Sequence, residues 1–338
     1  MGLKMPTKGG GHYIDKPKRK KSKRSITPAV RYLRYELTNS GTPGTETSHF
    51  IDLAKDLSAI NRRLMRQGRM YHVKRITVIS SNSGQSQGPS PADQPALHAG
   101  RISFSTAPES WSTQMAWKRG FESWNRMNEK VSVNAGGDFK ANYHDYKVYL
   151  SNDMRTGTVL SPKDNGGNTV SAGEWEYCEY VTPDGTTSAD PFTAGLLGAQ
   201  SGSVGSITYV GLVQSYSDSR ATVYASGPND DPQIDTDPLM NLFDDGTVAD
   251  EILQNLQSDN DAPPYDAGQY PGGASNMPKP LVVQDTTLGV DGKATVGGFS
   301  AMCGLIEVET KSPIASDVYS ILVELAPGKY RGIKADVI

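Results

Sequence analysis

No hydrophobic core can be built from Lys16-Pro17-Lys18-Arg19-Lys20-Lys21-Ser22-Lys23-Arg24. Seven of these nine side chains are cationic and only Pro17 is apolar, so like charges repel into an extended, solvated segment. With the flexible joint Gly9-Gly10-Gly11, the run predicts a disordered basic arm over residues 1–29. Residues 30–338 are left to form one folded body. Two uses fit such an arm: binding a polyanion, or serving as a nuclear-localisation signal on a solvated tail.

The charge distribution favours the polyanion. The whole chain carries a net charge of only −3 over 338 residues. Residues 1–75, however, hold 18 of the 34 Lys and Arg and 5 of the 37 Asp and Glu, which leaves 16 basic against 32 acidic residues in the remainder. A basic arm on an acidic body points to nucleic acid or an anionic surface as the partner of the basic part.

Hydrophobic patterning gives the elements. Val30, Tyr32, Arg34 and Glu36 alternate with Arg31, Leu33, Tyr35 and Leu37, which predicts a strand over 30–38. Phe50, Leu53, Leu57, Ile60 and Leu64 fall on one helical face, and Gly68 follows as a stop. Arg62, Arg63, Arg66 and Arg69 would then crowd the last helical turn, compensating the helix dipole or extending the basic surface. A strand is predicted over 70–80 and another over Arg101–Ser105. Thr106-Ala107-Pro108-Glu109 has the form of a capping box before a helix reaching Lys130. Trp117, Phe121 and Trp124 on that helix read as core rather than base-stacking residues.

Further strands are predicted near Tyr146–Leu150, Trp175–Val181, Ser206–Val213, Ala221–Ala225, Leu281–Val283, Met302–Thr310, Tyr319–Leu325 and Tyr330–Ala335, with a helix in Pro238–Gln257. Short strands separated by long irregular loops point to a mainly β fold, a double-sheet β-sandwich or barrel. Loops of this length are usually functional. An eight-stranded jelly roll with a few inserted helices and long loops fits the strand count best.

The chain lacks the parts of common enzymes. It has no Gly-x-x-x-x-Gly-Lys-Ser/Thr loop, no Gly-x-Gly-x-x-Gly and no His-Glu-x-x-His. Its five histidines are scattered, although a Ser/His/Asp site assembled in space leaves no sequence trace. Cys178 and Cys303 fit no zinc spacing or disulfide framework and read as half-buried thiols in strands. No cofactor or catalytic residue is assigned. The basic N-terminus has no apolar segment of a secretory signal, and no apolar run reaches the ~20 residues of a membrane span. Eleven acids and no Lys or Arg lie between Arg220 and Lys279, including Asp230, Asp231, Asp235, Asp237, Asp244 and Asp245. This tract, 230–266, reads as an acidic surface, with Ca²⁺ between subunits as the alternative.

The segment His49–Gly68 (HFIDLAKDLSAINRRLMRQG), with Ser105–Trp111 (STAPESW), Ala116–Phe121 (AWKRGF) and the basic arm, resembles capsid proteins of small eukaryotic viruses with circular, Rep-encoding single-stranded DNA genomes. The resemblance covers roughly residues 16–130 and rests on no catalytic motif. It implies a jelly-roll shell protein of the virion that forms a many-copy icosahedral homo-oligomer. It also implies an arm (Lys16, Lys18, Arg19, Lys20, Lys21, Lys23 and Arg24) that projects onto a single-stranded genome, DNA rather than RNA. Such arms often serve as nuclear-entry signals too, with host nuclear import factors as partners and the host nucleus as the place of assembly. Arg62, Arg63 and Arg66 are expected to extend the nucleic-acid-binding surface. A jelly-roll capsid protein of a small RNA virus and a monomeric cellular nucleic-acid-binding protein are the rival readings.

Overall fold

The computed structural model of the chain describes residues 29–81, 100–134, 143–182, 190–201, 207–220, 280–289 and 291–338. The arm residues Lys16–Arg24, the strand expected at Ala221–Ala225, the helix expected at Pro238–Gln257 and the tract 230–266 lie outside them. In chain order the elements are β1 (Tyr32–Thr38), β2 (Glu46–Asp52), α1 (Leu53–Asn61), β3 (Arg69–Ser80), β4 (Arg101–Thr106), α2 (Trp111–Asn134) and α3 (Asn152–Thr156). They continue with β5 (Glu179–Thr182), β6 (Asp190–Gly195), β7 (Tyr209–Gly211), α4 (Leu212–Arg220), β8 (Leu281–Thr287), β9 (Lys293–Val296) and β10 (Phe299–Met302). The last are β11 (Leu305–Lys311), β12 (Val318–Leu325), β13 (Pro327–Gly328), β14 (Gly332–Ile333) and β15 (Ala335–Val337).

The fold is mainly β and is dominated by two antiparallel sheets. In the first, β12 lies between β1 and β3. The other edge of β3 is shared: β9 pairs with Ile76–Ile79 and β10 with Met70–Val73. Past the end of β12, β15 takes over beside Arg69–Tyr71. The second sheet has the order β2-β11-β4-β8. Leu33, Tyr35 and Leu37 of β1, Ile76 and Val78 of β3 and Ile321 and Val323 of β12 meet Ile51, Ile102, Phe104, Ile306 and Val308 of the second sheet in one core. The alternation read from β1 holds in space, since Leu33, Tyr35 and Leu37 are buried while their neighbours face outwards.

Between β4 and β8 the chain leaves the sandwich. This insertion carries α2, α3, α4 and the small sheet β5-β6-β7. Trp117 and Phe121 stack at 5.4 Å, and Tyr146 lies 5.6 Å from Trp117 and 5.5 Å from Trp124. The aromatic stripe of α2 is therefore core, as its spacing predicts. It joins Phe50, Met70, Met302 and Leu305 from the sandwich in a second core. Among the described residues no helix is long and apolar enough to cross a membrane.

Several sequence expectations need correction, and no strand forms at Tyr146–Leu150. The stripe from Phe50 to Leu64 is not one helix: Phe50 belongs to β2, and α1 closes at Asn61 because Arg62 takes the left-handed conformation (φ 50°). Arg62, Arg63, Arg66 and Arg69 consequently follow the helix rather than crowd its last turn. Gly68 does not stop a helix; a Cβ there would sit 2.6 Å from the Trp117 ring. The capping box is not formed either. Thr106 stays in β4 and donates to the Leu305 carbonyl, while Ser110 caps α2 by accepting from Thr113 N at 3.2 Å. The strand expected over Met302–Thr310 is broken by Cys303 and Gly304, both at positive φ (57° and 72°), where the chain turns from β10 to β11. Cys303 thus lies in a turn, Cys178 just before β5, and both are buried.

The strand ends that carry α1 are joined by buried carboxylates. Asp52 is the N-cap of α1, accepting from Lys55 N at 3.0 Å. Its other oxygen accepts from Gln67 Nε2 at 3.2 Å, Trp175 Nε1 at 3.1 Å and Tyr177 OH at 3.2 Å. Asp56, one turn on, accepts from Tyr35 OH at 2.7 Å and has Lys55 Nζ 3.8 Å from its second oxygen. Burial pushes the Asp56 carboxyl up to about 8, against partial relief from Lys55 and the Tyr35 hydrogen bond. Unfolded, the same group titrates near 3.8. Between those pH values the folded state binds the extra proton, so this group makes stability fall as pH rises. Asp56→Asn keeps an acceptor for Tyr35 and removes the ionisation. Urea unfolding should show the variant gaining on the parent at pH 8.5, with the gain shrinking as pH falls and vanishing only below about pH 3.8; parallel pH profiles would contradict this assignment.

Candidate nucleic-acid interface

The segment after α1 is a fixed loop rather than a continued helix. Ser58 Oγ donates to Ala54 O at 2.6 Å and accepts from Met65 N at 2.7 Å, which turns the chain back and buries Met65. Gln67, fully buried, bonds Val148 through both amide atoms (2.6 Å and 3.0 Å) as well as Asp52. Arg62, Arg63 and Arg66 are exposed along this loop. Guanidinium groups carried on a braced loop suit phosphate oxygens, which they bind through paired N–H donors.

The structure brings the root of the basic arm to the same place. Val30 N donates to Asn61 Oδ1 at 2.7 Å, and Asn61 Nδ2 donates back to Val30 O at 3.2 Å. Ala29 N donates to Arg331 O at 3.2 Å. Residue 29 therefore leaves the body beside Arg62 and Arg63, and the residues preceding it start from a cationic surface.

Arg331 and Arg69 complete that surface from distant parts of the chain. Arg69 lies 3.8 Å over the Tyr330 ring, Arg331 lies 5.8 Å from the same ring, and Tyr330 OH accepts from Arg66 N at 3.0 Å. Arg331 also donates to the Leu64 carbonyl. The Arg66 guanidinium is 3.0 Å from Asp145. Asp145 is mostly buried, and burial raises its carboxyl while Arg66 and Lys147 draw it back down. Sequence reasoning singled out Arg62, Arg63 and Arg66 but missed Arg331. The available signal was the short run Gly328-Lys329-Tyr330-Arg331, with an aromatic ring between cations.

Groups with chemical potential elsewhere are accounted for by packing. Burial pushes the Cys178 thiol up to about 11 and the Cys303 thiol well above its usual range, which keeps both protonated and unreactive. Ser300 Oγ lies 2.9 Å from His72 Nδ1, and His72 Nε2 lies 2.7 Å from Asp336. These three occupy neighbouring positions of β10, β3 and β15. The Asp336 side chain is 66% exposed, whereas the acid of a catalytic triad is buried; the trio is built as cross-strand pairing. No group of three or more metal-ligating side chains occurs among the described residues. No protein-family model, curated protein or solved structure matches this chain.

The Asn61 clamp gives a direct test. Asn61→Ala is expected to cost about 1 kcal/mol of stability and to loosen the arm root. Tryptic cleavage after Arg31, read from the new N-terminus at Tyr32, should accelerate. Unchanged cleavage would show that the root is held some other way.

Proposed function

We propose that this chain is a jelly-roll capsid protein that self-assembles into an icosahedral shell and packages single-stranded DNA through its basic arm. The observation that carries the proposal is the order of strands. Taking β1, β2, β3, β4, β8, β9, β11 and β12 in sequence, one sheet reads β1-β12-β3-β9 and the other β2-β11-β4-β8. Apart from the β4-to-β8 step, which stays within one sheet, these strands alternate between facing sheets, as two nested Greek keys require. The resemblance to capsid proteins of small circular, Rep-encoding single-stranded DNA viruses points the same way.

In this reading the β4–β8 insertion supplies contacts between subunits. The arm, Lys16, Lys18, Arg19, Lys20, Lys21, Lys23 and Arg24, neutralises phosphates, and Arg62, Arg63 and Arg331 continue the cationic surface at its root. Binding is without sequence preference because phosphate contacts carry no base information.

The arm should dominate the salt dependence of binding. Seven engaged cations give a log–log slope of about −5 for affinity against salt on single strands. Replacing Lys18, Arg19, Lys20 and Lys21 with glutamine should bring it to about −2, measured by fluorescence anisotropy with a single-stranded oligonucleotide. A slope near zero in the parent, or no change in the variant, would remove the arm from the mechanism. Equal particle yields with packaged RNA and DNA would move the proposal towards an RNA-virus shell protein.

A further inference from the structure

A cavity of about 900 Å³ opens between α1, α2 and the 172–179 segment of the insertion, within the roughly 300–1,000 Å³ of ligand sites. Lys147 lines it and is only 6% exposed. Its Nζ lies 4.9 Å over the Trp175 ring and 3.3 Å from the Glu176 carbonyl. No carboxylate lies within 4 Å of it among the described residues; Asp145 acts on it only from further away. A buried ammonium has three donors to satisfy, and its burial without a counter-ion is costly. Asn128 Nδ2, on the α2 wall, is likewise buried without a partner.

The remaining walls supply flat rings and more cations. Tyr143 is 77% exposed at the opening, and His144 is held edge-on to Trp124 at 4.5 Å. Trp175 is fixed by its bond to Asp52. Lys55, Arg62 and Arg63 line the α1 side, so the cavity adjoins the root of the arm. Glu174, Glu176 and Glu179 also line it, but all three are exposed, whereas Lys147 is the buried charge. The interior therefore calls for an anion and the opening offers a stacking surface.

We propose that this cavity binds one nucleotide of a single-stranded nucleic acid, with its phosphate at Lys147 and its base against the Tyr143 ring. The inference rests on the reading under Proposed function and adds a second, structured contact to the arm's diffuse one. A strand leaving the arm would pass Arg62 and Arg63 and seat one residue here.

The test uses full-length protein and thymidine 5′-monophosphate, with thymidine and inorganic phosphate as partial probes, followed by calorimetry. Saturable binding of the nucleotide, tighter than either part alone, is expected. Lys147→Met and Tyr143→Ala should each weaken it about tenfold or more. Tyr143 is exposed, so its variant reports on binding even if Lys147→Met misfolds. Absence of saturable binding, inorganic phosphate binding as tightly as the nucleotide, or a Tyr143→Ala variant of parental affinity would each overturn the site. Nucleic acid that still co-purifies with the parent in those cases leaves the packaging role intact; its absence would take down both.

Discussion

One carboxylate holds the working part of this molecule together. Asp52 ends β2, caps α1, and accepts from Gln67, Trp175 and Tyr177. Four donors on one buried carboxylate satisfy it in a place where water cannot. They also tie a sandwich strand, the arginine loop and the insertion to a common point. The wall formed by Trp175 follows from it. Burial raises the Asp52 carboxyl while the bonds from Lys55, Tyr177 and Trp175 oppose that shift.

Among the described residues, Arg62, Arg63 and Arg331 gather beside Ala29 and Val30, while Lys74 and Arg75 are occupied at Glu324. That last pair exists because of a bulge. The register between β12 and β3 shifts at Glu324/Leu325, so two consecutive residues of β3 reach one carboxylate. Hydrogen bonding from Lys74 holds that carboxyl below its usual range. These two cations of the sheet are thus neutralised locally.

What could be read from the sequence was what alternates. β1, β3 and β12 bury one face and expose or half-expose the other over much of their lengths, and they were legible; β4 was read too, although Ile102–Thr106 are all buried. β2 was not, because its last four residues are all buried, with Ile51 in the sandwich core and Phe50 in the second core. The result looks like the start of a helical stripe, which hid both the strand and the true cap at Asp52. The left-handed turn at Arg62 left no mark either, since it follows from Ser58 bonding back to Ala54 and on to Met65. At the interface, local reading found Arg62, Arg63 and Arg66. It missed Arg331 and Lys147, whose roles depend on partners far away in the chain.

The proposed function makes this sandwich a shell subunit with a genome-binding arm. Negative-stain microscopy of purified full-length protein beside a form lacking residues 1–28 tests it most directly. Closed, uniform particles are predicted, with nucleic acid co-purifying only with the full-length form. Monomers of both forms, at all salt concentrations and with added single-stranded DNA or RNA, would contradict it.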